Sequence, residues 1–227
     1  MITAASEYFH SDVILPFKKT EDIYVERIDY IKPKPIFSFF KFIFDKIFSI
    51  VALIILCIPM LIIAFGVKIS SPGPVIYKQE RLGLNGKKFN ILKFRTMYLY
   101  AEKGGARWSL NDNDERVTKF GRFLRKTKMD EFPQFINVLK NDMSVIGPRP
   151  ERECFYIEFE KYIHGFNQRM KVKPGIAGYA QVYGGLYLPP EKKILYDIEY
   201  IKNRTLWLDT KIIFKTVYAV IKGDKGE

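Results

Sequence analysis

Ile47-Phe48-Ser49-Ile50-Val51-Ala52-Leu53-Ile54-Ile55-Leu56-Cys57-Ile58-Pro59-Met60-Leu61-Ile62-Ile63-Ala64-Phe65-Gly66-Val67 is an uncharged, mostly apolar run. A helix needs about 20 such residues to cross the hydrocarbon layer of a membrane, so the run is just long enough. Pro59 lies past its middle and removes a backbone donor, so a straight helix should bend or break there. Basic residues flank both ends: Lys32, Lys34, Lys41 and Lys46 before it, and Lys68, Lys78, Arg81, Lys87 and Lys88 after it. Lys/Arg-rich flanks stay on the cytoplasmic side, and neither flank is marked for export. Two arrangements meet these constraints. One is a re-entrant hairpin that enters the membrane, breaks at Pro59 and returns to the same face. The other is a single kinked span with its C-terminal part inside. The paired basic flanks favour the hairpin, although broken backbone in lipid must be satisfied locally.

The rest of the chain divides around this segment. Residues 1–35 read as a loosely structured tail, 36–69 as the membrane segment and 70–227 as a body large enough to bury a core. The tail is polar and mixed, unlike a secretory signal. The net charge of +12 implies an anionic partner: nucleic acid, anionic lipid headgroups or a phosphorylated substrate. Nineteen Phe and 14 Tyr suit an interfacial protein as well as a large core. Cys57 and Cys154 have no metal-ligand spacing, which fits a reducing compartment.

Ser70-Ser71-Pro72-Gly73-Pro74 is a turn. A hairpin follows, Val75 to Glu80 and Lys88 to Phe94, joined through Gly83-Leu84-Asn85-Gly86. Its Asn-Gly step favours positive-φ turns. Residues 98–115 read as a polar loop. Helices are expected over Lys119 to Lys126 and from about Asp130 through Leu139. In Glu151 to Met170, Phe155, Phe159, Tyr162 and Phe166 recur at three- and four-residue steps, which predicts one amphipathic helix. A last helix over Thr205 to Lys222 mixes Trp207, Phe214 and Tyr218 with Lys211, Lys215 and Lys222, a pattern suited equally to a headgroup-plane helix and to a core helix. The fold class is therefore α+β and helix-dominated, with one small β-hairpin, a Pro-broken membrane helix and interfacial amphipathic helices.

The densest polar cluster is Arg125-Lys126-Thr127-Lys128-Met129-Asp130-Glu131-Phe132-Pro133-Gln134. Pro133 is tolerated only in a first helical turn, so Asp130 and Glu131 sit at a helix N-terminus, where the dipole favours negative charge. One reading makes Asp130 an N-cap worth about 1 kcal/mol. The other makes it a nucleophile toward phosphorus, with Glu131 holding a divalent metal on the phosphates. In Gly147-Pro148-Arg149-Pro150, two prolines would aim a guanidinium at phosphate, or simply stiffen a loop around a solvated Arg149. Lys93-Phe94-Arg95-Thr96-Met97 ends the hairpin with two cations, Lys93 and Arg95. Asp112-Asn113-Asp114 has the D-x-D form of metal-dependent glycosyltransferases, in a short match. Gly83-Leu84-Asn85-Gly86-Lys87-Lys88 is too short for a phosphate-binding P-loop, and no nucleophile-elbow serine is present.

Taken in order, these clusters resemble the bacterial sugar transferase family, the small monotopic phosphoglycosyl transferases, over roughly Phe40 to Val220. The landmarks begin with Ile43-Phe44-Asp45, Ser71-Pro72-Gly73-Pro74, Gln79-Glu80-Arg81-Leu82-Gly83 and Lys93-Phe94-Arg95-Thr96-Met97. They continue with Asp130-Glu131, Asp142-Met143-Ser144, Gly147-Pro148-Arg149-Pro150, Lys173-Pro174-Gly175-Ile176 and Asp197 with Tyr200. The resemblance implies a site at the cytoplasmic face of the bacterial inner membrane. It implies transfer of a sugar-1-phosphate from a UDP-sugar to undecaprenyl phosphate, with release of UMP and a requirement for Mg²⁺. Such a step initiates the assembly of exopolysaccharide, lipopolysaccharide or another glycoconjugate. By position, Asp130 is the nucleophile and Glu131 the metal ligand, while Lys93, Arg125, Arg149 and Asp197 match other active-site positions. The dipole at Asp130 is expected to lower its proton affinity. The family's Ser-Pro break is replaced by Cys57-Ile58-Pro59, and Asn141 replaces a usual glycine. Two rivals are a D-x-D enzyme releasing UDP and a non-enzymatic, membrane-anchored binder of nucleic acid or anionic lipid. The favoured reading involves no nucleic acid, and the sequence specifies no oligomeric state.

Overall fold

A computed structural model describes residues 13–14, 22–31, 33–101, 106–107, 114–185 and 188–222. Its longest element is α1, Pro35–Ser70, of 36 residues, about 54 Å at 1.5 Å per residue. Pro35 occupies the first helical position, where its missing N–H is harmless. Pro59 lies inside α1, and helical residues continue on both sides of it. Pro59 thus does not end the helix: it removes one ladder bond, the weak point at which α1 can bend, and the turns on either side stay helical.

The two ends of α1 are anchored differently. In the first part, Asp45 accepts bonds from Ser144 Oγ and Val145 N–H, both at 3.0 Å. Lys46 Nζ donates to the carbonyls of Val138 and Leu139 at 3.0 and 2.6 Å, closing the end of a neighbouring helix. Phe48 lies 6.0 Å from the ring of Phe135. In the last part, Ile63 and Val67 are buried in a cluster with Phe94, Leu124, Met129 and Phe132. Between these anchors, Ile50, Ile54, Ile55, Ile58, Leu61 and Ile62 are exposed.

Among the described residues, four short strand pairs decorate the helical body. β1 (Val13–Ile14) pairs in parallel with β5 (Ala106–Arg107), and β2 (Ile23–Tyr24) with β7 (Ile163–His164). β3 (Ile76–Leu82) and β4 (Lys88–Phe94) form the expected antiparallel hairpin, in the register Ile76↔Phe94 to Leu82↔Lys88. Asn85 and Gly86 at its tip have φ of 53° and 76°, the positive values that the Asn-Gly step foretells. β6 (Ser144–Ile146) runs parallel to β8 (Gly175–Ala177).

The helices are α2 (Lys119–Lys126), α3 (Gln134–Leu139), α4 (Glu153–Glu160), α5 (Tyr179–Tyr183), α6 (Pro190–Asn203) and α7 (Leu206–Lys222). Thr118 caps α2 by accepting from Gly121 N–H at 2.9 Å. The single helix expected over Glu151 to Met170 is instead α4, strand β7 and a 3₁₀ stretch over Phe166–Lys171. Gly165, at φ 103°, turns the chain between the last two, while Ile163 and His164 bond to β2 rather than continue the helix. The apolar spacing served burial all the same: Phe155, Phe159, Tyr162 and Phe166 join Ile194, Ile198, Ile201 and Ile212 in the main core. On α7, Ile212 faces that core, and Trp207, Phe214 and Tyr218 are exposed.

Part of the expected tail packs on the body. Over residues 22–31, Ile28 is buried, and its N–H donates to Gln168 Oε1 at 2.5 Å. Gln168 Nε2 in turn donates to the Glu26 carbonyl. Residues 1–12 and 15–21 of the expected tail lie outside the described residues.

Candidate active site

Between α2 and α3 the chain turns sharply. Lys128 adopts φ 59°, and a single 3₁₀ turn, Met129–Glu131, follows. The helix expected from about Asp130 begins only at Gln134, with Pro133 immediately before it, so Asp130 and Glu131 sit in the separate 3₁₀ turn rather than at the helix N-terminus. This sequence of turns presents Asp130 and Glu131 to the end of β4, and it gives the two carboxylates opposite surroundings.

Glu131 is the more heavily bonded. Lys93 Nζ donates to its Oε1 at 2.8 Å. Arg149 donates from both guanidinium nitrogens, Nη1 to Oε2 at 3.2 Å and Nη2 to Oε1, a bidentate grip. Burial pushes the Glu131 carboxyl up, but Arg149 and Lys93 overcome it and hold the group well below the usual carboxylate value. Asp130 is 7% exposed. Among the described residues, no hydrogen bond or ion pair ties its carboxylate. Burial raises its proton affinity, with Lys93 opposing and Glu131 reinforcing. The dipole argument predicted a lowered value, and desolvation reverses it, because a short 3₁₀ turn carries little dipole. Two adjacent carboxylates are thus driven apart, the pattern that lets neighbours take different roles.

Arg149 reaches Glu131 from a loop, Pro148–Glu151, whose carbonyls are all bonded. Pro148 accepts from Gly175 N–H at 2.9 Å, and Glu151 from Leu82 N–H at 3.1 Å. Arg149 accepts from Arg169 Nη2 at 2.9 Å. Pro150 accepts from Arg81 Nη1 at 3.3 Å. The loop crosses the β8 segment backbone to backbone: a Cβ on Gly147 would lie 2.4 Å from the Lys173 carbonyl, so only glycine fits.

The other candidate positions divide. Arg125 Nε donates to Thr96 Oγ1 at 2.9 Å, and its charge is felt at Asp130. Arg95 is directed elsewhere: it is 5% exposed and donates to the carbonyls of Val67, Ser71 and Pro72. It closes the C-terminal end of α1, where carbonyls lack helical partners, instead of facing the cluster. Asp197 is 1% exposed and bonded to Arg169 Nε at 2.5 Å, one layer behind Arg149. Asp112 and Asn113 of the D-x-D stretch lie outside the described residues, and Asp114 is bonded by Arg116 at 2.6 Å. Sequence reasoning missed Arg169, Glu151 and Lys193. Arg169 carried a signal: it falls three residues after Phe166, on the apolar face, where a lone cation needs a buried partner. Glu151 and Lys193 carried none. They meet through space at 3.3 Å, with Arg81 on the other Glu151 oxygen.

A buried, unbonded carboxylate beside a carboxylate clamped by two cations, near an exposed apolar helix, is an arrangement whose chemistry suits phosphate-bearing ligands. The bacterial sugar transferase family model matches residues 36–223, and the chain belongs to that family. It is 40% identical over 208 residues to the UDP-N-acetylgalactosamine-undecaprenyl-phosphate N-acetylgalactosaminephosphotransferase of Aeromonas hydrophila, covering 90% of this chain and 49% of the relative. It is 46% identical over 182 residues to the UDP-glucose:undecaprenyl-phosphate glucose-1-phosphate transferase of Xanthomonas campestris pv. campestris, covering 78% and 38%. The Escherichia coli K12 protein with that same name is 42% identical over 179 residues, covering 77% and 38%. The chain thus spans less than half the length of these curated relatives.

Proposed function

We propose that this chain is a phosphoglycosyl transferase moving a sugar-1-phosphate from a UDP-sugar to undecaprenyl phosphate. In the first step an Asp130 oxygen attacks the phosphorus that bears the sugar. The bond from that phosphorus to the bridging oxygen breaks, UMP leaves, and an aspartyl-phosphosugar remains. In the second step a phosphate oxygen of undecaprenyl phosphate attacks the same phosphorus and releases Asp130. The observation that carries the reading is the unbonded, buried carboxylate of Asp130 beside the Glu131–Lys93–Arg149 knot. Its raised proton affinity makes it a stronger nucleophile once ionised.

Phosphoryl transfer between charged groups depends on positioning and charge neutralisation. Lys93 and Arg149 can neutralise Glu131 at rest and turn to the diphosphate when the donor arrives. Mg²⁺ suits a place here: it accepts one or two carboxylates together with substrate phosphates. Glu131 would be its protein ligand, and bound there the ion would neutralise diphosphate charge. Among the described residues no group of three or more acidic, His or Cys side chains forms a metal cage, which fits an ion held largely by the substrate.

The same reading sets α1 into the inner membrane as a re-entrant hairpin, with the body on the cytoplasmic face. Two observations support it. Phe135 packs against Phe48, while Phe132, one turn earlier, belongs to the cluster of Ile63 and Val67. Phe48 and Ile63 would be about 22 Å apart along a straight helix. The exposed residues 50–62 then form the lipid-facing turn. Cysteines placed at Phe39 and Ile69, both exposed, distinguish hairpin from span: in oriented vesicles a hairpin labels both from one side, and a span labels them from opposite sides. The function itself is tested by nucleotide release from a panel of UDP-sugars with undecaprenyl phosphate and Mg²⁺. UMP from one donor, absent with Asp130→Asn, supports it. UDP as the product, or an active Asp130→Asn variant, removes it.

A further inference from the structure

The chain places Arg149 by an unusual device. Pro148–Glu151 has no regular secondary structure, yet each of its four carbonyls is bonded. Main-chain N–H groups hold the outer two. Side-chain guanidinium groups hold the inner two, Arg169 on Arg149 and Arg81 on Pro150. Arg169 is the more buried, at 1% exposure, and it sits among aromatic rings, with its guanidinium carbon 4.8 Å from Phe166 and 5.9 Å from Tyr156. Its counter-charge is Asp197, itself 1% exposed, on α6.

This pair is a poor investment if stability were its purpose. Replacing a buried ion pair with well-packed apolar side chains is often neutral or stabilising. Here, moreover, Arg169 Nη1 is buried with no hydrogen-bond partner, which costs stability. What the pair does hold is a location. Asp197 fixes Arg169 through Nε, Arg169 fixes the carbonyl of Arg149 through Nη2, and Arg149 grips Glu131 beside Asp130.

We propose that Arg169 and Asp197 are positioning residues for the transfer reaction. They set the backbone of Arg149, and so the aim of its guanidinium, without touching substrate. This rests on the phosphoglycosyl transferase reading for its kinetic part. It also reassigns Asp197, whose burial and bonding to Arg169 put it behind the site rather than in it.

The test uses the full chain in detergent or nanodiscs. Asp197→Asn and Arg169→Lys keep size and polarity, and the pair Arg169→Met with Asp197→Leu replaces the ion pair by apolar bulk. The expected result is a fall in kcat of about 10²-fold, from misplacement of Arg149, with KM for the donor changing far less. The apolar pair should melt at or above the wild-type temperature and still be slow. In an Arg149→Lys background, the Asp197→Asn change should cost little more, since both act through one guanidinium. Amide exchange read over residues 147–152 should quicken in Asp197→Asn, while α6 and α4 keep their protection. That readout needs no turnover, so it holds if the donor panel yields no UMP and the functional reading fails. An apolar pair with wild-type kcat, additive losses with Arg149→Lys, or unchanged exchange in the loop would overturn the proposal.

Discussion

Residues 50–62 of α1 and the loop Pro148–Glu151 solve opposite problems. The first is regular and little packed: apart from the donor missing at Pro59 its backbone is bonded within the helix, and Ile54 and Ile58 are 70% and 69% exposed. The second is irregular and tied at every carbonyl, buried apart from the Arg149 side chain. Regularity and rigidity are therefore separate properties here. A helix needs no outside partner for its backbone, which leaves its side chains free of the body. An irregular loop must borrow donors from elsewhere, and this one borrows two guanidinium groups, which lets it hold a third in a chosen direction.

The largest expected effect falls next to that loop. Asp130→Asn should abolish UMP release while melting at or above the wild-type temperature, because a buried, unbonded carboxylate destabilises the fold. An intact rate would break the contrast between a free nucleophile and a clamped neighbour. Next, Arg149→Lys keeps the charge and loses the fork. Turnover should fall about 10²–10³-fold, the scale for losing one aimed donor, read as kcat on the functional donor. A loss below threefold would mean that the aim of the loop does not matter.

A smaller effect concerns pH. Lys93 pulls the Asp130 proton affinity down against burial. Lys93→Met removes that pull, so the acid limb of kcat/KM should move to higher pH and activity should fade sooner on acidification. Glu131 behaves in the opposite sense. Its folded value lies well below the usual 4.5, so its ion pairs stabilise the fold above that value and are lost only as pH falls through the depressed one. An unmoved acid limb in Lys93→Met would separate Lys93 from Asp130. The smallest effect belongs to the apolar stretch. Ile58→Ala should change the melting free energy in detergent by no more than about 0.5 kcal/mol, since the side chain packs on nothing in the body. A drop of several kcal/mol would show that residues 50–62 are covered by protein.

Much of this was legible in advance, for identifiable reasons. The uncharged run, the Asn-Gly hairpin tip and the turn before Pro133 are local: each follows from charge, φ preference or a missing N–H. Asn141, at φ 72°, took the glycine-like conformation its side chain tolerates. The aromatic spacing through Phe155 and Phe166 predicted burial correctly and the helix wrongly, because periodicity reports which face is apolar while Gly165 and the pairing with β2 decide the path of the backbone. Arg95 misled for a related reason. Its place two residues after Lys93 suggested a second cation on the same face, yet β4 ends at Phe94, and beyond the strand Arg95 met the open carbonyls of α1 instead.

The sequence by itself determined the lipid-compatible segment, the basic balance of the chain and the two adjacent carboxylates, since these are properties of neighbouring residues. Only the tertiary structure decided which carboxylate is clamped and which is free. Lys93, Glu131, Arg149, Arg169 and Asp197 come from five separate stretches of the chain. Charge interactions act through distance and burial, and neither is written in the order of the residues.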